Sequence, residues 1–579
     1  MRTRSKRLVG LVAVAAVSVL VIGACGGGKK EGGGGAPSSA GFGDCDKNPD
    51  TCNGGPRKAG GEFIYALEQE FTSWNIVSDE GNAFAGSQAL SGIVPGVYYV
   101  APSGQIKLNT DLVTSAELTK ESPQTVVYKV RPEAVWNDGT PIGLADFDFA
   151  WKQNSGKKDH CDGCVPASTS GYELIQSMTG ADNDKTITVV FEKPYPEWQA
   201  LFTLYPAHVA KAKGFDLTTP KGVGQAHEWF GKEVPAWSGG AYLIEKYDKG
   251  NSIVEVKNPK WYGKEKPTVD KLVFKFIVQQ GGLVPALRNK EILAAGPQPN
   301  ADLVTQVSQI PGVIYRIGHG YQWEHFDLNL KNKFLADVEV RKAIFTAIDL
   351  KAIVEKTYGQ FDKQAKPLGS HNFFANDPNY KDVVSSTGQG SGNVAKAKEI
   401  LTAAGYKIEG GKLLSKNNEP VSLRFRHTKG NQLRAQTAEL VQAQLKEIGI
   451  DVKVEVTETL GKTLSSGDFD IMIFAWVGSP FYLGSAEQTW ITDGGGNYGK
   501  YSNPEVDKLI KEAAQTLDKK KAADLVNQAD EIMAKEAYVL PIAQKPTLLF
   551  VYSDWSNVRD NASNSGPNYN NHEWGQRAA

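Results

Sequence analysis

Strand-like and helix-like segments are interspersed along most of this chain. Strand patterns occur in TVVYKV, TITVVF, SIVEVK, KLVFKFIV, DVKVEV, DIMIFAW and TLLFVY, at residues 125–130, 186–191, 252–257, 271–278, 451–456, 470–476 and 547–552. Apolar residues recur with helical spacing at 337–358, 433–449, 504–517 and 522–536. The segments mix without strict alternation and without an internal repeat. This pattern predicts a large α/β protein with mixed sheets.

The N-terminus combines basic residues, an apolar run and a cysteine. Four basic residues lie within 1–7, and an almost wholly apolar run covers 8–22. This is the layout of a secretory signal, and the run is shorter than the roughly 20 residues of a membrane-spanning helix. Ile22-Gly-Ala-Cys25 resembles the lipobox of bacterial lipoproteins, although Leu is usual at the position of Ile22. The resemblance implies a signal peptide at 1–24 and a diacylglyceryl anchor on Cys25. The alternative is an ordinary cleaved signal with an incidental cysteine.

Residues 25–59 are predicted to be a flexible tether. Residues 26–43 are rich in Gly and Ser and contain no apolar cluster, so they cannot bury enough surface to fold. With the lipid anchor, this places the expected globular part at the outer face of the cell membrane.

The remaining four cysteines are expected to form disulfides, because the chain is expected to be exported. Four cysteines allow three pairings, of which we favour the local pairs Cys45–Cys52 and Cys161–Cys164. The CxxC of 161–164 could instead be a redox motif or half of a zinc site. There is no second CxxC and only eight histidines are present, so we predict no metal site.

Composition and motifs argue against several function classes. About 520 residues follow the signal and tether, which is enough for two or three domains. A net charge of −1 argues against a nucleic-acid partner. G-x-S-x-G and H-E-x-x-H are absent, and the GKT at 461–463 has Val456 where a phosphate loop needs glycine. We therefore predict no enzyme activity and no cofactor, with a secreted hydrolase as the least favoured alternative.

Six stretches together resemble one family. They are YKVRPEAVWNDGTPIGLADFDFAWK, SGGAYLIEKYDKGNSIVEVKNPKWYG, FDLNLKNKFLADVEVRKAIFTAIDLKAIVEK, AKAKEILTAAGY, LKEIGIDVKVE and FDIMIFAWVGSP, beginning at residues 128, 238, 326, 395, 445 and 469. Their order and spacing are similar to those of family-5 extracellular solute-binding proteins, which serve peptide and nickel ABC importers. The resemblance runs from about residue 60 to 553.

The resemblance implies a type II periplasmic-binding-protein fold, with two lobes joined by a hinge and an extra third domain. Domain I would comprise 60–97, 237–318 and 551–579, domain II 98–236, and domain III 319–550. The lobes would close on a ligand in the cleft between them, and a permease would recognise the closed shape. The implied partners are an oligopeptide or other small-molecule ligand and membrane-bound ABC permease and ATPase subunits. The protein itself would be a monomer.

The same resemblance suggests which residues face the ligand. The proposed ligand-binding residues are Trp74, Asn75, Trp237, Gly239, Tyr321, Trp323, Trp476, Ser479, Phe481 and Tyr482. For the aromatic ones, core packing or sealing of the interface is the alternative. Peptide-binding relatives carry an aspartate shortly after the residue that matches Trp476, where this chain has Ser479 and Pro480. Either another carboxylate, such as Glu70, Glu324 or Glu487, receives the peptide ammonium, or the ligand has no free amine at that position.

Three function hypotheses follow. The first is a lipoprotein that captures an oligopeptide by lobe closure and delivers it to an ABC permease. The second keeps the fold but binds a glycan, a glycolipid or a metal chelate. The third is an accessory envelope lipoprotein without a transporter.

Overall fold

A computed structural model describes residues 41–578 of the chain. The predicted signal peptide, Cys25 and the first part of the predicted tether lie outside the described residues. Within residues 41–578, no helix has the length and apolar character required to cross a membrane.

Twenty strands form the sheets of the described chain. They are β1 (Glu62–Leu67), β2 (Tyr98–Val100), β3 (Ile106–Leu108), β4 (Val113–Glu121), β5 (Gln124–Val130), β6 (Ile175–Ala181), β7 (Thr186–Phe191), β8 (Tyr242–Asp248), β9 (Ser252–Lys257), β10 (Lys271–Phe276), β11 (Ala294–Ala295), β12 (Val313–Leu328), β13 (Lys407–Glu409), β14 (Lys412–Leu414), β15 (Ser422–Thr428), β16 (Asp451–Thr457), β17 (Ile471–Val477), β18 (Val539–Tyr552), β19 (Trp555–Ser556) and β20 (Gly575–Gln576).

Fourteen α-helices accompany them between residues 41 and 578. They are α1 (Phe84–Ala89), α2 (Leu144–Asn154), α3 (Ala207–Ala212), α4 (Pro220–Lys232), α5 (Leu283–Arg288), α6 (Ala301–Ser308), α7 (Val338–Ala347), α8 (Leu350–Lys356), α9 (Val394–Ala403), α10 (Gln432–Glu447), α11 (Leu460–Ser466), α12 (Tyr482–Trp490), α13 (Pro504–Ala514) and α14 (Lys519–Lys535).

A ten-stranded sheet is the main scaffold. Its strand order is β16-β15-β17-β12-β18-β11-β1-β10-β9-β8. It is mixed, since β1 pairs parallel with β10 and β11, whereas β12 pairs antiparallel with both β17 and β18. A separate antiparallel sheet has the order β4-β5-β7-β6. The prediction of an α/β fold with mixed sheets is confirmed.

The long strands β12 and β18 connect the two halves of the large sheet. At one end β18 pairs with β11, and at the other β12 pairs with β17. Their own pairing shifts register between His319 and Trp323. Buried apolar residues of 42–314 and 548–574 form one core, and those of 323–543 form three smaller ones. We call these the first half and the second half of the molecule. The domain boundaries given above stay a prediction.

The folded part begins earlier than the sequence predicts. Residues 41–59 were assigned to the tether, but Phe42, Cys45 and Cys52 are buried in the first core. The Arg559 Nε donates a hydrogen bond of 2.8 Å to the carbonyl of Cys52. Both predicted disulfides, Cys45–Cys52 and Cys161–Cys164, are present. The first of them closes a loop that carries these side chains into the core, so the tether prediction is wrong for this stretch.

The sequence predicts one helix at 337–358, but the structure has two shorter helices there, α7 and α8. Ile348 between them is extended, with φ −74° and ψ 125°. The Asp349 side chain then accepts a hydrogen bond of 2.9 Å from the amide of Ala352. An aspartate that caps a new helix start explains the break.

Candidate functional site

A cavity of about 380 Å³ lies between the two halves of the molecule. We call it the main cavity. The first half contributes Asn82, Phe84 and Asn564 to its wall. The second half contributes the rest, from within β12, from the end of β17 and the residues after it, from α12 and from His371, Asn372 and Phe374. Its volume is within the range of small-molecule sites, roughly 300 to 1,000 Å³.

Trp476 lies at the centre of the aromatic wall. It pairs with Trp323 across the β12–β17 ladder. Its ring stacks on those of Tyr498 and His325. The ring centroids are 5.8 Å and 6.2 Å away, and the angles between the ring planes are 10° and 14°. The indole Nε1 is buried and has no hydrogen-bond partner among the described residues. A buried donor without a partner is costly, so an acceptor from a ligand or water would be favourable there.

Asn372 offers a second donor of the same kind. Its Oδ1 accepts a hydrogen bond of 2.8 Å from Trp490 Nε1. Its Nδ2 is buried and has no partner in the described part of the chain. Two residues of the main cavity's wall, Trp476 and Asn372, thus carry buried N–H groups that have no partner among the described residues.

His371, the only ionisable wall residue apart from Tyr482 among those described, is paired inside the protein. Its Nδ1 contacts the Asp530 carboxylate and its Nε2 contacts the carbonyl of Val539 at 2.9 Å. An oxygen at each nitrogen requires two N–H groups. Burial disfavours the imidazolium, but Asp530 and the carbonyl together raise the pKa of His371. Its charge is thus balanced by Asp530.

A smaller cavity of about 130 Å³, the hinge cavity, adjoins the main one and shares Phe84 and Val477 with it. It lies where β1 and β11 end beside β18. Glu68 Oε2 accepts a hydrogen bond of 2.9 Å from the amide of Gln298, and Lys545 Nζ donates to the side chain of Gln298. Burial raises the pKa of Glu68 and lowers that of Lys545 to about 8.

Four of the ten predicted ligand residues line the main cavity. They are Trp323, Trp476, Ser479 and Tyr482. Phe481 adjoins them, and its amide donates a hydrogen bond of 3.1 Å to Ser479 Oγ. Tyr321 lies behind the wall residue Phe374 at 5.9 Å, and its hydroxyl donates to the carbonyl of Gly104 in the first half. It therefore joins the two halves without lining either cavity.

The other four lie inside the first core, away from both cavities. Trp74 packs edge-on against Phe71 and Tyr247 at 5.0 Å. Asn75 is fully buried and donates to the carbonyl of His227.

The ring centroid of Trp237 lies 5.1 Å from that of Tyr205 and 5.9 Å from that of Trp136. A Cβ on Gly239 would meet Pro95 at 2.7 Å. These four residues line neither cavity and their surroundings fit the core-packing alternative, so their contact with a ligand stays a prediction.

None of the three proposed substitute carboxylates lines the main cavity. Glu324 is held by Arg434, Glu70 is exposed, and Glu487 faces Glu173. Sequence reasoning missed Glu68, a carboxylate immediately after β1. Its position was a usable signal, because ligands of α/β folds bind at the carboxyl ends of parallel strands.

Comparisons with known proteins identify the family. Residues 107–499 match the model of bacterial extracellular solute-binding proteins, family 5 Middle. The chain belongs to this family. The solute-binding protein is 30% identical over 506 residues to the oligopeptide-binding protein OppA of Mycobacterium tuberculosis strain H37Rv, covering 86% of this chain and 82% of that protein.

Solved structures agree with this assignment. The periplasmic EDTA-binding protein EppA matches with 34% identity and a TM-score of 0.88, over 92% of this chain and 99% of that one. The oligopeptide-binding protein AppA from Bacillus subtilis, in complex with a nonapeptide, shares the fold with 21% identity and a TM-score of 0.74. The match covers 90% of this chain and 100% of that one. The predicted family and fold are confirmed. The family is a class of bacterial extracellular solute-binding proteins.

Proposed function

We propose that this solute-binding protein captures an oligopeptide between its halves and passes it unchanged to ABC permease and ATPase subunits. It does so at the outer face of the cell membrane, anchored through the lipid on Cys25. The observation that carries the proposal is the pair of adjoining cavities, whose walls come from both halves of the molecule. OppA of M. tuberculosis, named for oligopeptide binding, supports the choice of ligand.

The wall chemistry suits a peptide. Aromatic rings accept an apolar side chain, and peptide carbonyls would give Trp476 Nε1 and Asn372 Nδ2 acceptors once a movement of the wall uncovers these buried groups. A ligand that contacts both halves favours the closed arrangement by the contacts that exist only there. Binding and closure are therefore one process, and no chemical step is involved.

Glu68 is the acid that would receive a peptide ammonium. No carboxylate lines the main cavity among the described residues. Glu68 lines the adjoining hinge cavity, and its Oε1 makes no hydrogen bond within residues 41–578. We therefore place a ligand ammonium in the hinge cavity and the neighbouring residues of the peptide in the main cavity.

A metal chelate is the second candidate ligand. The unpaired N–H groups of the main cavity suit a ligand rich in carboxylate oxygens, and EppA, named for EDTA binding, is similar to this chain over most of its length. On this alternative Lys545 in the hinge cavity would face a ligand carboxylate.

Thermal unfolding with two probe sets separates the candidates. The probes are synthetic peptides of three to nine residues, each with a free or an acetylated N-terminus, and magnesium–EDTA. A probe at 100 times its Kd should add about 2.7 kcal/mol to the free energy of unfolding. Stabilisation by free-amine peptides, reduced by acetylation and by Glu68→Gln, supports the proposal, and mass spectrometry should recover the peptide intact.

A matched pair of variants controls the assay. Trp476→Ala should abolish the shift, whereas Trp261→Ala, which alters a partly exposed tryptophan outside both cavities, should not. Stabilisation by magnesium–EDTA alone would favour the second candidate, and a cleaved peptide would refute both.

A further inference from the structure

Helix α12 is capped by a residue from the other half of the molecule. Its N-cap residue Phe481 has no capping side chain. The first amides of a helix lack intrahelical partners. Here the amides of Leu483 and Gly484 donate hydrogen bonds of 2.7 and 3.0 Å to the two carboxylate oxygens of Glu197. Glu197 lies 286 residues earlier in the chain than Leu483.

This cap is a close fit between the halves. Glu197 is only 8% exposed and lies next to Trp198, which packs on the first core. A Cβ on Gly484 would lie 3.1 Å from Ser170 Oγ and 3.6 Å from Glu197 Oε2. The glycine therefore lets the helix start approach the first half this closely.

The same helix forms a large part of the ligand wall. Five α12 residues line the main cavity, namely Tyr482, Ser485, Gln488, Thr489 and Trp490. Glu197 does not line it. Moving the N-terminus of α12 away from Glu197 would carry this part of the wall with it.

We propose that Glu197 is a positioning residue for closure, which caps α12 across the two halves and thereby holds the α12 wall of the main cavity against the first half. This proposal rests on the proposed function, in which closure means that the two halves come together around a ligand. When the halves separate, Leu483 and Gly484 lose their acceptors to water, and the carboxylate becomes solvated.

Charge makes this contact sensitive to pH. Burial raises the pKa of Glu197 to about 7, although the two amides oppose the rise. Glu487 on α12 has its pKa raised to about 7 by burial and by the charge of Glu173. The other ionisable groups that act on Glu197 and Glu487, or are acted on by them, are Tyr195, Tyr482, Lys511 and Lys519.

The sign of the pH effect follows from linkage. A solvated glutamate has a pKa of about 4.3, so the closed form binds a proton more tightly than the open form. Closure should therefore take up protons, become stronger as the pH falls below 7, and weaken as the pH rises through 7.

Hydrogen–deuterium exchange with residue resolution tests the cap without needing a ligand. In Glu197→Ala, we expect the Leu483 and Gly484 amides to exchange about tenfold faster than in the wild type, the effect of losing one helix cap. The matched control is Glu192→Ala, which removes an exposed glutamate from the same segment. Glu197→Gln keeps one carbonyl oxygen in place of the two carboxylate oxygens, so we expect only one of the two amides to stay protected and part of the change in protection between pH 8 and pH 6 to be lost.

Each result decides for or against the cap. Equal exchange of the two amides in Glu197→Ala and Glu192→Ala would overturn it, as would an unchanged pH response in Glu197→Gln. Small-angle scattering should also show a larger radius of gyration for Glu197→Ala. If the peptide set stabilises none of these variants nor the wild type, the proposed function fails, while the exchange data still decide the role of Glu197.

Discussion

Replacing Arg434 with methionine tests the buried ion pair behind the hinge cavity. Glu324 on β12 is 1% exposed, and Arg434 on α10 donates to its carboxylate through Nε and Nη2 at 2.8 to 3.2 Å. Lys545 Nζ on β18 lies 3.9 Å from the same carboxylate. Burial opposes the charge, yet Arg434 and Lys545 hold the pKa of Glu324 below its ordinary value.

The size of the effect follows from which charges remain. Removing one partner of a buried pair costs about 3 to 5 kcal/mol, because the other charge is left uncompensated. Lys545 stays close to Glu324 in Arg434→Met, so we expect the lower end, about 3 kcal/mol. Urea unfolding followed by tryptophan fluorescence measures it. Lys333→Met is the control, because it breaks the exposed pair with Glu419 and should cost at most about 1 kcal/mol.

A double variant checks the cause. Glu324→Gln alone leaves Arg434 as an uncompensated buried cation and removes a charge that supports the ammonium of Lys545, so it should also destabilise strongly. Combining it with Arg434→Met removes one charge of each sign and should recover part of the loss. If Arg434→Met unfolds at the same urea concentration as Lys333→Met, the electrostatic reasoning is wrong.

Three further predictions follow. Asp349→Ala should cost about 1 kcal/mol of unfolding free energy through loss of the α8 cap, and Asp349→Asn should not; urea unfolding decides, and equal losses would contradict the capping role. Ser479→Asp places a carboxylate in the main cavity, whereas the ammonium is placed beside Glu68 in the hinge cavity, so calorimetry should show no gain for free-amine over acetylated peptides; a gain of about tenfold for free-amine peptides alone would place the ammonium in the main cavity instead. The raised pKa of His371 means that its contribution to stability is complete below the unfolded pKa of about 6.5 and is lost as pH rises through the folded value. Urea midpoints from pH 6 to 9 should therefore fall more in the wild type than in His371→Asn, and parallel curves would count against the ion pair.

Local pattern was sufficient for most secondary structure. SIVEVK and TITVVF become β9 and β7 with the predicted ends, because β-branched alternation reports a half-buried pleated surface directly. The break before Asp349 was missed because apolar spacing continues through Ile348, although an aspartate at that point was a capping signal. Segments of 41–59 were misassigned because a glycine-rich beginning hid a disulfide loop that packs on the first core.

The site was harder to predict, for a physical reason. Trp74 lies in the loop after β1 and Trp476 lies near the end of β17, but one packs among aromatic rings of the first core and the other lines a cavity. A tryptophan serves either environment equally well, so residue type does not separate them. Only the family resemblance ranked Trp476 above the others, and it also pointed to Trp74 and Trp237, which line neither cavity.

The proposed role of Glu197 couples closure to ligand contact through α12. Helix α12 carries five wall residues of the main cavity, and its first amides are held by Glu197 from the opposite half. A substitution on the cavity side of α12 that shifts the helix will strain the cap, and a change at Glu197 will move the wall. A variant that weakens binding therefore identifies a ligand contact only if the Leu483 and Gly484 amides remain protected. Measuring both quantities on each variant separates lost contacts from lost closure.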